Sequence, residues 1–179
     1  MLDSFTRNNG TMGSGWGGST SGYRIASNQL DVNSGGAIFW RSTRFEANQE
    51  AYVTLNTIDA SARELDLILK AQSNTDWTSG VLEVWYNPKC DQVTVWTYSK
   101  AQGWRQRGAA IPVKFVAGDR LGAGVSATGY VQVYQNDRLL ATRDASAWTY
   151  AKATGYIGLW TIDANAAVLD NFGGGTILP

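Results

Sequence analysis

Apolar residues in this chain recur at every second position. Val81-Leu82-Glu83-Val84-Trp85-Tyr86 and Gln92-Val93-Thr94-Val95-Trp96-Thr97-Tyr98 are rich in β-branched and aromatic residues, as are Ala51-Tyr52-Val53-Thr54-Leu55 and Tyr130-Val131-Gln132-Val133-Tyr134. Glu64-Leu65-Asp66-Leu67-Ile68-Leu69-Lys70 alternates as well. A period of two belongs to strands with one buried face, whereas helices repeat near 3.6. Further strands are predicted at 23–32, 36–41, 119–126, 138–143, 155–161 and 166–172. No stretch of ten residues keeps helical spacing; the Ala-rich piece from Ala141 to Ala153 reads best as a loop across a sheet. Turn signals such as Asn33-Ser34-Gly35-Gly36, Asn87-Pro88 and Asn136-Asp137 separate the runs. Many short strands joined by short turns point to an all-β sandwich or barrel.

With 179 residues the chain fits one domain, 1–179. No interior linker or fixed repeat divides it, and Gly173-Gly174-Gly175 reads as the start of an exit linker over 173–179. Fifteen basic residues balance fifteen acidic ones and are scattered, so no stripe exists to track phosphates. No basic amphipathic helix exists for a membrane surface. The lone cysteine, Cys90, excludes an internal disulfide, and with no histidine in the chain neither zinc chemistry nor a Ser-His-Asp triad is available. The expected partners therefore include neither nucleic acid nor membrane.

Pairing 81–87 with 92–98 around the turn 88–91 sets a register. Tyr86 faces Val93, Trp85 faces Thr94, Val84 faces Val95 and Glu83 faces Trp96. Leu82, Val84, Tyr86, Val93 and Val95 then share the core face, and Glu83, Trp85, Asn87, Thr94, Trp96 and Tyr98 share the other. The same parity sends Tyr130, Gln132 and Tyr134 outward, with Glu64 and Asp66. Aromatic rings beside planar polar groups suit sugars: a pyranose packs its C–H face on an indole while its hydroxyls meet acids and amides at the rim. Trp85, Trp96, Tyr98, Tyr130 and Tyr134 with Glu83, Asp66 and Gln132 form that candidate ligand set. Trp16, Trp77 and Trp104 sit at loop tips by context, to line the end of a groove or to cap the core. Trp40, Trp148 and Trp160 flank strands and are expected in the core.

Catalysis has less support. Glycoside hydrolysis needs two carboxyls roughly 5–9.5 Å apart. Glu64 and Asp66 are two steps apart on one strand, and a cross-strand pair of Asp66 with Glu83 is the other option. A lyase would draw on Tyr98, Tyr130, Tyr134, Arg41, Arg105 and Gln132. If the terminal strands pair, Asp3 and Asp170 meet as ligands of a structural calcium; otherwise Asp170 bonds backbone amides at a strand end.

The opening Asp3-Ser4-Phe5-Thr6-Arg7-Asn8-Asn9-Gly10 and Met12-Gly13-Ser14-Gly15-Trp16 resembles the start of secreted bacterial domains in the concanavalin A-like lectin/glucanase superfamily, of the LamG-like, carbohydrate-binding kind. The close, Gly155-Tyr156-Ile157-Gly158-Leu159-Trp160 and Val168-Leu169-Asp170-Asn171-Phe172-Gly173-Gly174, resembles the matching end, and Ala117-Gly118-Asp119-Arg120-Leu121 with Val131-Gln132-Val133-Tyr134-Gln135-Asn136 the late strands. The resemblance implies a two-sheet antiparallel β-sandwich, a jelly roll, often with a calcium. Its enzymes carry a Glu-x-Asp-x-Glu strand, and here position 68 is Ile. That departure favours a non-catalytic module that binds a polysaccharide such as a β-glucan, in a larger secreted chain. A hydrolase or lyase with an atypical acid pair is the alternative, and a structural or adhesive domain the second.

Overall fold

The computed structural model describes residues 1–178. Its strands are β1 (Trp16–Gly18), β2 (Tyr23–Ala26), β3 (Gln29–Val32), β4 (Gly36–Trp40), β5 (Gln49–Thr57), β6 (Glu64–Ala71), β7 (Val81–Asn87), β8 (Gln92–Ser99), β9 (Gly103–Gln106), β10 (Ile111–Pro112), β11 (Asp119–Val125), β12 (Tyr130–Gln135), β13 (Arg138–Asp144), β14 (Tyr156–Ile162) and β15 (Val168–Thr176). One antiparallel sheet, the front sheet, runs β1-β4-β14-β6-β7-β8-β10, with β9 also paired to β8. The other, the back sheet, runs β13-β12-β11-β5-β15-β3-β2. The fold is the two-sheet jelly-roll sandwich that the alternation and the resemblance imply.

Alternation explains the core. Leu65, Leu67, Leu69, Leu82, Val84 and Tyr86 of the front sheet meet Val53, Leu55, Leu121, Ala123, Val131 and Val133 of the back sheet, all sealed from solvent. The β7–β8 hairpin has the expected register, with Glu83 opposite Trp96, Val84 opposite Val95, Trp85 opposite Thr94 and Tyr86 opposite Val93. Each buried Leu or Val contributes about 1.5–3 kcal/mol, so a one-residue slip, which turns every side chain over, is strongly disfavoured.

Three expectations are corrected. Residues 23–32 form two strands, because Ser27 and Asn28 take left-handed conformations (φ 52° and 62°) and reverse the chain. Gly173-Gly174-Gly175 belongs to β15 rather than to a linker: the three pair with Tyr52, Ala51 and Glu50. At Gly173 a Cβ would overlap the Tyr52 ring, so glycine serves close packing there. Trp16 is no loop tip; it lies 3 % exposed in the core, packed on Phe5 and Phe172.

Candidate functional site: a tryptophan-lined cleft over three carboxyls

The outer face of the front sheet is not a plain solvated surface. Ala37, Phe39, Ile68, Ala71 and Val81 point outward and are nevertheless buried in a second apolar cluster, against which Trp77, Tyr98, Tyr156 and Trp160 pack. The β6–β7 connection, 72–80, brings Trp77 to this layer. Short local bonds fix its shape: Ser73 Oγ accepts from the Thr75 and Asp76 amides, and Asp76 accepts from the Thr78 hydroxyl and the Ser79 amide. Gln72 N and Gly80 O close the base at 2.9 Å.

Cross-strand rows place the remaining groups. One row reads Trp160 (β14), Asp66 (β6), Trp85 (β7), Thr94 (β8). The next reads Ile68 (β6), Glu83 (β7), Trp96 (β8), Gln106 (β9). The turn 99–103, with Gly103 at φ 65°, folds β9 back on β8 and sets Trp104 opposite Tyr98. Trp104 and Trp160 start four strands apart, a backbone separation of about 19 Å at ~4.8 Å per strand. Their ring centroids are only 6.3 Å apart. Both indoles therefore lean inward across the sheet, and Trp77 bridges them at 5.6 and 5.4 Å. Trp85 and Trp96 form a second pair at 6.0 Å. Their N–H groups are taken by Arg63 O (2.9 Å) and Thr94 Oγ1 (3.1 Å), which hold both rings in place.

The result is a cleft of about 330 Å³ lined by Arg63, Glu64, Trp77, Glu83, Trp85, Trp96, Trp104, Trp160 and Ile162. That volume is at the small end of the range for ligand sites, which suits a short segment of a chain. A larger hollow lies at the N-terminal loops and a smaller one, with Tyr52, Tyr134, Glu50 and Asp137, on the back sheet; neither holds a tryptophan.

Glu64 and Glu83 line the cleft, and Asp66 lies buried beside them. Asp66 is 2 % exposed and receives no hydrogen bond from an N–H or hydroxyl, its side chain pairing with the Glu64 carboxyl; Glu83 is 5 % exposed and its Oε1 has no donor. Burial, then the Glu83 and Glu64 charges, push Asp66 well above the usual carboxylate range. Burial, then Glu64, does the same for Glu83. Burial also raises half-buried Glu64, against the opposing pull of Arg63, whose Nε lies 3.1 Å from Glu64 Oε1. Buried polar atoms without partners are uncommon in folded proteins and mark places where a ligand or a shared proton completes the bonding.

Of the ligand residues expected from sequence, Trp85, Trp96 and Glu83 line the cleft, while Asp66 lies buried beside it and Tyr98 packs behind Trp77 and Trp104. Gln132, Tyr130 and Tyr134 do not join them: they lie on β12, on the outer face of the back sheet. Parity says only that a side chain leaves the core, and a sandwich has two outer faces. Trp160, expected in the core, faces the cleft instead, while Trp148 is core and Trp40 packs against its edge. Trp77 and Trp104 settle at the cleft. Asp3 pairs with Phe172, two residues from Asp170, across the terminal strands. The donors already at Asp3 do not fit a cation: Arg7, the Trp16 indole and the Phe5 amide all donate to it, and Arg7 Nη1 is 2.7 Å away. Asp170 accepts from its neighbour's amide and from Asn56. Among the described residues no group of three His, Cys, Asp or Glu is placed to hold a metal, and no helix is long and apolar enough to cross a membrane.

Two antiparallel sheets packed face to face, with an aromatic cleft on one outer face, define a jelly-roll sandwich. Similar solved structures span nearly the whole chain. The carbohydrate binding module CBM66 from Bacillus subtilis has a TM-score of 0.60 at 15% identity, covering 96% of this chain and 97% of that one. A LamA variant from Zobellia galactanivorans, in complex with laminaritriose and laminaritetraose, gives 0.61 at 10% identity over 96% and 95%. A protein from work on endo-acting O-glycanases of the human gut microbiota gives 0.63 at 8% identity over 98% of each chain. At such identities the likeness is one of fold. No family model and no curated protein sequence matches the chain.

Proposed function

We propose that the tryptophan-lined cleft binds a short stretch of a β-linked polysaccharide, glucan-like in shape, without cutting it, as a module of a larger extracellular chain. The observation that carries the reading is the pairing of five indoles with a buried Glu83 carboxyl oxygen that no protein group satisfies. A pyranose offers both complements: a C–H face for the rings and hydroxyl donors for the acids. The fold shared with CBM66 and with the laminari-oligosaccharide complex of LamA supports it. Ile68 supports the non-catalytic part, since it puts a hydrocarbon where a third strand acid would stand. Affinity electrophoresis across a panel of β-glucans and related polysaccharides tests the proposal. Retardation by at least one is expected, and free migration in all of them refutes it.

A second reading is favoured by one observation: Glu64 and Glu83 line the same cleft from adjacent strands. Glu83, kept protonated by burial, has the state a general acid needs, and Glu64 beside Arg63 would serve as base or nucleophile. New reducing ends from a bound oligosaccharide, lost in Glu83→Gln, would establish it. Zero turnover on oligosaccharides that the protein binds removes it.

A further inference from the structure

The acids of the cleft outnumber its cations. Arg63 is the one basic residue in the lining, and it is engaged with Glu64 at 3.1 Å. The elements packed around the floor add no further basic residue to the lining. The end of β14 brings Asp163, whose charge adds to that at Glu64. The 72–80 connection brings Asp76, already held by Thr78 and Ser79. From β8, Thr94 and Trp96 are neutral, and on β9 Arg105 gives its Nε to Gln102 O. A neutral sugar would hydrogen-bond with the Glu83 and Glu64 carboxyls and leave the electrostatic cost of charging them in place. A cation between them offsets that cost. The indole faces around the floor favour the same kind of guest, because an aromatic face attracts a positive charge, most strongly when both are out of water.

We infer that the sugar taken by this cleft carries a protonated amine: a glucosamine-type unit of a β-linked chain, its ammonium directed at Glu83 and Glu64 and its ring faces against the tryptophans. The inference rests on the sugar-binding reading above and names the class of sugar. Binding of the amine form draws the carboxyls into their charged state, so affinity rises with pH while the amine stays protonated.

Titration calorimetry of the protein with a β-1,4-linked glucosamine hexamer, its fully N-acetylated form and a β-1,4-linked glucose hexamer tests this. The glucosamine hexamer is expected to bind about tenfold more tightly than either neutral hexamer near pH 6.5, a difference of about 1.4 kcal/mol. Its advantage shrinks at pH 5. Glu83→Gln, with folding verified by thermal melting, is expected to bring the three ligands within about twofold of one another, and Asp66→Asn to narrow the gap. Equal or tighter binding of the neutral hexamers by the unaltered protein overturns the inference and leaves the sugar reading standing. Failure to bind any of the three, with a glucan still retarding the protein in gels, overturns the inference alone; failure on every glycan overturns both.

Discussion

Between about pH 5 and pH 7 the fold is expected to lose stability, because its native state holds protons that the unfolded chain releases. Asp66 and Glu83 are almost wholly buried; burial, then the Glu83 and Glu64 charges, raises Asp66, and burial, then Glu64, raises Glu83. In the unfolded chain they titrate near 4. A group raised on folding contributes stability that is complete below its unfolded value and is lost as pH climbs toward the folded one. Each trapped proton costs about 1.4 kcal/mol per pH unit across that interval. A proton held across the whole of that interval removes at most about 3 kcal/mol from pH 5 to 7, or no more than roughly 6–12 °C in melting temperature for a chain of this size. Other groups leave this window clear. Asp59, Asp76 and Asp144 are lowered by bonds from Ser61, Thr78 and Ser146, so what they contribute is lost only as pH falls below about 4. Lys70, drawn down to about 8 by burial, acts above the window. Urea unfolding at half-unit steps measures the slope. Asp66→Asn is expected to make it shallower, and Asp66→Asn with Glu83→Gln to flatten most of it, Glu64 alone remaining. Wild-type stability that is level or rising from pH 5 to 7, or an unchanged slope in the double variant, refutes the reasoning.

Trp85→Ala or Trp96→Ala is expected to weaken oligosaccharide binding about tenfold each, with melting little changed, because both rings are part-exposed; calorimetry reads the affinity, and an unchanged constant counts against the cleft as the site. Lys70→Met is expected to destabilise by about 2 kcal/mol in urea titrations, since the Ser126 and Ala151 carbonyls lose the Nζ donor that ties β6 to the back sheet and to the 145–155 segment. Gly35→Ala is expected to cost about 2 kcal/mol or more, because φ is +71° and a Cβ there would overlap the Thr161 carbonyl oxygen; a melting temperature within a degree of wild type contradicts it.

How much of this was legible in the sequence depended on the strand. The β7–β8 hairpin is half buried with a tight turn, so its alternation fixed the register, the core face and the outward Trp85, Trp96 and Glu83. In β14 the run Tyr156-Ile157-Gly158-Leu159-Trp160-Thr161-Ile162 is apolar at both parities, and period two is silent about Trp160. For β12 parity was right and the face wrong, because nothing local says which sheet a strand joins. Trp104 was reachable only by reading β9 as a strand, and its Gly103-Trp104-Arg105-Gln106 carries too little β-branched character to show it.

The alternation of β6 breaks at the outward Ile68, and β6 also brings Glu64 and Asp66 to the site; the two facts have one cause. In β6 the outward Asp66, Ile68 and the residues beside them are as buried as the inward leucines, because a second layer of Phe39, Val81 and the 72–80 connection lies over that part of the sheet. A strand buried on both faces loses the polar half of its pattern, which is why Ile68 is tolerated facing away from the main core. The same layer excludes water from Asp66 and Glu83, raises their carboxyls, and gives Trp77, Trp104 and Trp160 a dry surface to lean on. The acid floor and the aromatic walls are thus consequences of one covered patch, and a ligand that enters it meets charge that water does not screen.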